Sequence, residues 1–308
     1  ETQEKRPVEQ RTDTGTATGS TLPRNVICRG RSVPREPTSY FEASTPERLW
    51  DALERGCLET GTPCDVLAIP HNGNLSGGAM FVPTREDGSA YDAAFSERRS
   101  RLEPLLELYQ HKGASECVDH IVDPLASEDE LCRFEELHPR VCRDGEEPPG
   151  CAPSCDVGGG IGFLGGCVAP SDFARGALRL GLAQEQSVGA NPFALGFIGS
   201  TDTHQSLAGG VDEETFRGHL GGSEDDPSEQ LAADGTILLR GLTASAGGLA
   251  VVWAEENSRD AIFDAMRRRE TYATSGTRMV VRFFSGTSLP AGLCGASTLV
   301  ETGYAMGV

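Results

Sequence analysis

The stretch 196–206, GFIGSTDTHQS, sets a carboxylate and an imidazole two residues apart directly after a short apolar run. Asp202 and His204 are good ligands for zinc, manganese or iron, and so is His71, which follows Pro70 at the end of a second apolar run. In an extended segment positions 202 and 204 point to the same side, so that one ion takes both. The competing reading of the Asp-x-His pair is a solvated loop, with Asp202 as a helix cap and His204 on the surface. Lys112 and Glu116, in QHKGASE, end a third run. They read either as a surface ion pair or as a cation for a substrate oxyanion and a carboxylate for proton transfer. Asn72 and Asn74, beside His71, are candidate substrate-binding amides. Arg278, in TSGTRM, is placed either to clamp a phosphoryl group bidentately or to make a structural salt bridge.

Four runs of four to six apolar residues stand out, and the first three carry all of these groups except Arg278: CDVLAIPHNGN (64–74), PLLELYQHKGASE (104–116), FALGFIGSTDTH (193–204) and GLAVVWAEEN (248–257). Continuous apolar runs of this length read as strands buried on both faces. Between or beside them lie helical patterns. TPERLWDALERG opens on Thr45 as N-cap with Pro46 at the first helical position. SDFARGALRLGLAQE offers Ser171 as cap, and SRDAIFDAMRRRE starts at Ser258 and ends in cations that suit a helix C-terminus. Strands alternating with helices predict an α/β architecture, whose ligand site lies beyond the carboxyl ends of the strands. All four runs turn polar at that end.

The totals exclude several classes. A net charge of -19 repels nucleic acid and anionic membrane surfaces, and it leaves capture of an anionic substrate to a local cation such as a bound metal. No apolar run reaches the roughly 20 residues of a membrane helix. The hexamer GIGFLG at 160–165 matches a dinucleotide fingerprint but follows no strand pattern, so it reads as loop glycine. Phosphate-loop and GxSxG motifs do not occur. Asn74 to Ser76 formally match a glycosylation acceptor, read here as chance beside His71.

Ten cysteines, several of them in loops, point to an oxidising compartment, periplasmic or secreted, with several disulfides. Cys142, Cys151, Cys155 and Cys167 are a weaker match to a structural zinc site, because their spacing lacks a paired CxxC knuckle. Residues 1–21 read as a flexible polar segment, 22–308 as the folded domain, and 117–168 and 206–235 as surface insertions.

Taken together, DVLAIPHNGNLSGGAMF, LELYQHKGASEC, NPFALGFIGSTDTH and LAVVWAEENSRDAIFDAMRRRETYATSGTRMVVRFF resemble the bacterial domain-of-unknown-function family 3604 of the polymerase and histidinol phosphatase (PHP) superfamily. The resemblance runs from about PRNVICRG to the last residue. It implies a distorted β/α barrel holding up to three Zn, Mn or Fe ions at its strand ends and acting on phosphoesters. It assigns ligand roles to His71, Asp202 and His204, and none to Lys112, Glu116 or Arg278. Two features depart from it: no His-x-His motif occurs, and Pro23 stands where relatives carry a His before RNVI. The chain therefore reads as an internal portion lacking the first strands, with a second chain as a possible source of them.

The expectation is a metal-dependent hydrolase of small-molecule phosphoesters. His71, Asp202 and His204 are its metal ligands, Glu116 and Lys112 its proton-transfer and oxyanion groups, and Asn72, Asn74 and Arg278 its substrate contacts. The alternative is a non-catalytic extracellular binding or structural protein with a degenerate site.

Overall fold

The computed structural model describes residues 7–11, 17–21, 23–34, 38–39, 41–71, 73–118, 132, 141–147, 151–155, 167–202, 247–275, 277–286 and 304–305. His204 and Asn72 lie outside these residues, as do GIGFLG and the insertion expected at 206–235. All four apolar runs contain strands: β4 (Val66–Pro70), β5 (Leu105–Gln110), β7 (Gly196–Gly199) and β8 (Ala250–Val252). Earlier in the chain, β1 (Pro7–Arg11) and β2 (Ala17–Thr21) pair antiparallel inside residues 1–21, read from the sequence as a flexible polar segment. β3 (Arg24–Cys28) pairs antiparallel with β4. A two-residue turn, His111 and Lys112, returns β5 into the short β6 (Gly113–Ala114), and β7 adds to the other edge of β5 in parallel. β8 pairs with β9 (Thr271–Ala273), and β10 (Phe284–Ser285) pairs with β11 (Tyr304–Ala305).

The α/β class therefore holds, but as several small sheets rather than one. Among the described residues no sheet closes into a barrel. β4 lies beside β5 and β7 beside β9, so β3, β4, β5, β7 and β9 form a continuous array without a continuous hydrogen-bond ladder.

Period-two alternation assigns the faces of this array. Leu67 and Ile69 of β4, Leu105 of β5 and Ile198 of β7 point to one side, where Phe263 and Met266 of α4 (Arg259–Arg267) cover them. Leu106 points to the other side and packs with Ala174 and Ala177 of α3 (Ala174–Val188), Met80, Phe81 and Phe193. Burial on both faces explains why β4 and β5 read as unbroken apolar runs. Val66 and Ala68 meet Leu53 of α1 (Pro46–Leu53) and the Cys57–Cys64 disulfide.

The helix starts follow local chemistry, with one exception. Thr45 accepts from the Arg48 amide and Ser258 from the Ala261 amide, as their types predict. Ser171 does not cap α3. It sits inside a short 3-10 turn, Pro170–Asp172, and its hydroxyl donates to the Gly78 carbonyl, so α3 starts after Phe173 without a side-chain cap. α2 (Ala93–Leu102), capped by Asp92, has no counterpart in the sequence expectation, because AAFSERRSRL offers too few apolar residues to show a helical stripe. Part of its inward face is the buried Arg99, which donates to the Met80 and Val82 carbonyls and stacks on Phe193.

Four disulfides brace the described loops: Cys57–Cys64, Cys117–Cys132, Cys142–Cys151 and Cys155–Cys167. The four cysteines considered for zinc are thus two disulfides, and this pattern belongs to an oxidising compartment. Among the described residues no helix is long and apolar enough to cross a membrane.

Two residues before β5, Glu103 is fully buried between Arg24 (2.8 Å), the Trp50 indole N–H (3.0 Å) and Arg99 (3.4 Å). Burial raises its carboxyl, but the two guanidinium groups and these hydrogen bonds outweigh burial and hold it below the usual range. Its stabilising contribution is present above about pH 4.5 and is lost as pH falls through the folded value. Glu103→Gln leaves two buried cations undercompensated. Denaturant melts at neutral pH are expected to show a loss of about 3–5 kcal/mol; a loss under about 1 kcal/mol contradicts this role.

Candidate active site

The alternation that places Leu67 and Ile69 in the core continues to His71, one residue beyond β4. It carries Leu105 to Glu107 on β5 and Ile198 to Ser200 beyond β7. Three polar side chains therefore cap one apolar face at one end of the array. Glu107 joins them: one carboxylate oxygen contacts His71 Nδ1, and the other accepts from the Ser200 hydroxyl. Burial opposes its charge, yet His71, the hydrogen bonds of His71 and Ser200, and Lys112 together hold the carboxyl below its usual range.

Two turns complete the group. His111 and Lys112 form the β5–β6 turn, made possible by Gly113 at φ +90°, and both side chains are buried. Asp202 lies three residues past β7 at φ +50°, in the left-handed region that Asp tolerates better than most residues. Its Oδ2 is a node: His111 Nε2 lies at 3.2 Å, His71 Nε2 at 3.7 Å, and the Lys112 ammonium is in direct contact. The carboxylate is 2 % exposed, so its charge is compensated by this cluster rather than by water.

Close backbone approaches hold the turns in place. Gly248 N–H donates to the Ser200 carbonyl at 2.7 Å, and a Cβ on Gly247 would lie 2.6 Å from the same oxygen and 3.0 Å from the His111 nitrogen. On the other side Pro23 accepts from the His71 amide at 3.2 Å. Pro23, at the position where the resemblance implies a His, is therefore the immediate neighbour of His71, and a proline there supplies no ligand nitrogen.

The expected site residues divide accordingly. His71, Lys112 and Asp202 come together. Asp202 is not extended, so the argument that set residues 202 and 204 on one side fails at its first residue. Glu116 pairs with Arg175 at 2.6 Å on the surface and not with Lys112, which is buried against Asp202. Arg278 is exposed on the stretch before β10. Asn74 is buried and its amide is engaged inside the protein: it donates to the Lys112 carbonyl (2.9 Å) and accepts from Ser115 (3.1 Å). It supports the Lys112 turn rather than a ligand. Glu107 and His111 were not assigned roles from the sequence. The available signals were an acid inside an otherwise apolar strand and an imidazole at the first position beyond it.

The donor set tests the metal expectation. Ligand atoms on a tetrahedral ion with bonds of about 2.0–2.1 Å stand about 3.3 Å apart, and the two imidazole–carboxylate separations, 3.2 and 3.7 Å, bracket that edge. Glu107 behind His71 is the carboxylate–imidazole arrangement that orients metal-binding histidines. Against this, no three His, Cys, Asp or Glu side chains among the described residues are arranged to hold an ion as they stand. Lys112 supplies a physical reason, since its ammonium occupies the contact on Asp202 Oδ2 that an ion would take. The donors fit a divalent cation in type, and the ammonium stands on the carboxylate oxygen that one would take.

A buried acid–imidazole cluster at the strand ends of an α/β protein is thus what this chain presents. The chain belongs to the family described as protein of unknown function DUF3604, whose model matches residues 13–308. No curated protein and no solved structure matches it.

Ser200→Ala removes the donor that fixes the outer oxygen of Glu107 while leaving the strand intact. Thermal or denaturant unfolding is expected to show a loss of about 1–3 kcal/mol, with His71 ring resonances shifted in NMR spectra. Unchanged stability and unchanged His71 resonances contradict the linkage.

Proposed function

We propose that the protein is a metal-dependent hydrolase of small-molecule phosphoesters. The observation that carries this reading is the convergence of His71 Nε2 and His111 Nε2 on one oxygen of a buried carboxylate, Asp202. The likeness to the PHP superfamily adds a β/α-barrel ancestry and a phosphoesterase chemistry. His71, His111 and Asp202 would hold a zinc, manganese or iron ion, with His204 as a further ligand. When bound, that ion supplies a water of lowered pKa and neutralises charge on the phosphoryl oxygens.

This chain's own groups do the rest. Glu107 fixes the tautomer and direction of His71. Lys112, displaced from Asp202, is the cation for a substrate oxyanion in a site shielded from water. Asn74 holds the turn that presents it. The strongly acidic surface disfavours anionic macromolecules, which keeps the substrate class small. The location is periplasmic or secreted, and a second chain completing the barrel is part of the proposal.

The alternative, a binding or structural protein with a degenerate site, draws on Pro23 beside His71 and on the Lys112–Asp202 contact. Metal content and hydrolysis separate the two. The purified protein is expected to carry about one divalent ion per chain or more and to hydrolyse p-nitrophenyl phosphate or its diester. Chelation should reduce this to background, and added Zn, Mn or Fe should restore it. Lys112→Met is expected to lower kcat by about 100-fold to 1000-fold. Full activity after verified metal removal overturns the reading, and a metal-free, inactive protein favours the alternative.

A further inference from the structure

The turn that follows His71 is fastened by a carboxyl group with no part in the cluster above. Asp172 is fully buried, and the groups facing it are neutral: the Ser76 hydroxyl and the backbone amides of Gly78, Met80 and Ala169. Its Oδ2 accepts from Gly78 N–H at 2.5 Å, while Oδ1 contacts Ser76 Oγ. The charged group on the neighbouring helix, Arg99, is committed to the Met80 and Val82 carbonyls, to Tyr91 and to Glu103.

The Ser76 hydroxyl is the informative atom. It lies 2.7 Å from the Gly73 carbonyl oxygen and in short contact with Asp172 Oδ1. A hydroxyl has one hydrogen to give, and a carbonyl has none. If Asp172 were ionised, Ser76 would serve one oxygen and face the other lone pair to lone pair. If Asp172 carries a proton, both contacts are satisfied: Asp172 donates to Ser76 Oγ, and Ser76 donates to Gly73. Burial works in the same direction, pushing the carboxyl up to about 7 against the hydrogen bonds from Ser76, Gly78, Ala169 and Met80.

We infer that Asp172 is a neutral acid in the resting protein and that Asp172, Ser76 and Gly73 form a proton-linked latch on the turn between His71 and Met80. Above neutral pH the proton on Oδ1 passes to solvent, the Ser76 hydrogen turns to the carboxylate, and the Gly73 carbonyl loses one of its two donors, keeping the Ser76 amide at 3.0 Å. Gly73 starts the short turn Gly73–Leu75, where Asn74 holds the Lys112 carbonyl. A Cβ on Gly73 would lie 2.5 Å from the Asp172 carbonyl oxygen, so turn and latch are in direct backbone contact. The latch thus regulates how firmly Lys112 is presented, a consequence that rests on the hydrolase reading. The latch itself does not. A folded-state value raised above 3.8 makes the neutral-acid contribution fully present below about pH 4 and lost as pH rises through about 7.

The test needs no substrate. Asp172→Asn supplies an amide that donates to Ser76 and accepts from Gly78, which copies the protonated form. Infrared difference spectra between about pH 6 and about pH 8.5 should show the carbonyl stretch of a buried carboxylic acid in the wild type, absent from the variant. Exchange of the amides of residues 73–80, corrected for its intrinsic pH dependence, should quicken about tenfold per pH unit above the transition in the wild type only. Absence of the acid band at the lower pH, or the same exchange step in the Asn variant, overturns the latch. Should that variant fail to fold, Ser76→Ala must still shift the wild-type band, and an unmoved band overturns the proposal. A band and exchange step in a protein that hydrolyses no phosphoester uphold the latch and remove the function assigned to Lys112.

Discussion

Asp202 Oδ2 meets two imidazole nitrogens and an ammonium with almost no access to water. An isolated buried carboxylate costs several kcal/mol, and a positive partner repays this only when the geometry and the remaining hydrogen bonds are good. The surrounding architecture meets that condition. β4, β5 and β7 end side by side, so that a single face delivers His71, Glu107 and Ser200. The β5–β6 turn adds His111 and Lys112 from beside the same strand end, and the glycines at 247 and 248 let a second backbone segment close over them. Each feature is expensive or useless without the others, which is why the cluster reads as one object rather than as scattered polar residues.

The charge arrangement is divided between the two faces of the array. On the face that carries Val66 and Ala68, Arg24, Arg99, Trp50 and Glu103 form a compensated network whose residues all face each other, the expected form of a structural ion group. On the face that carries Leu67, Ile69 and Leu105, cations and imidazoles gather on one carboxylate beyond the carboxyl ends of β5 and β7, where α/β proteins carry their ligands. The positions of the two networks, more than their composition, distinguish scaffold from site.

Much of this was legible in the sequence because it is local. Continuous apolar runs marked β4, β5, β7 and β8, although β8 is only partly buried, and Thr45 and Ser258 marked two helix starts through the hydrogen bonds their hydroxyls make. His71, Lys112 and Asp202 were legible because they end apolar runs. What was not legible is relational. Glu107 and His111 acquire meaning only from residues 36 and 91 positions away. Ser171 and Asn74 have side chains that local rules assign to a cap and to a ligand, but tertiary contacts claim both. The positive φ of Asp202 broke the same-side argument for residues 202 and 204. α2 was hidden because a buried arginine occupies the place of an apolar residue. Where the resemblance implies a distorted barrel lacking its first strands, the described residues form several small sheets, none of them closed, since strand order and closure follow from pairing that no single segment specifies.

The account's central claim is that His71, His111 and Asp202 are positioned to share one divalent ion. Crystals grown with zinc, measured on both sides of the zinc absorption edge, test it directly. The account predicts an anomalous peak about 2.0–2.2 Å from Asp202 Oδ2 and from both imidazole Nε2 atoms, with the Lys112 ammonium moved off the carboxylate. Zinc bound elsewhere on the chain, with Lys112 still seated on Asp202, would contradict it.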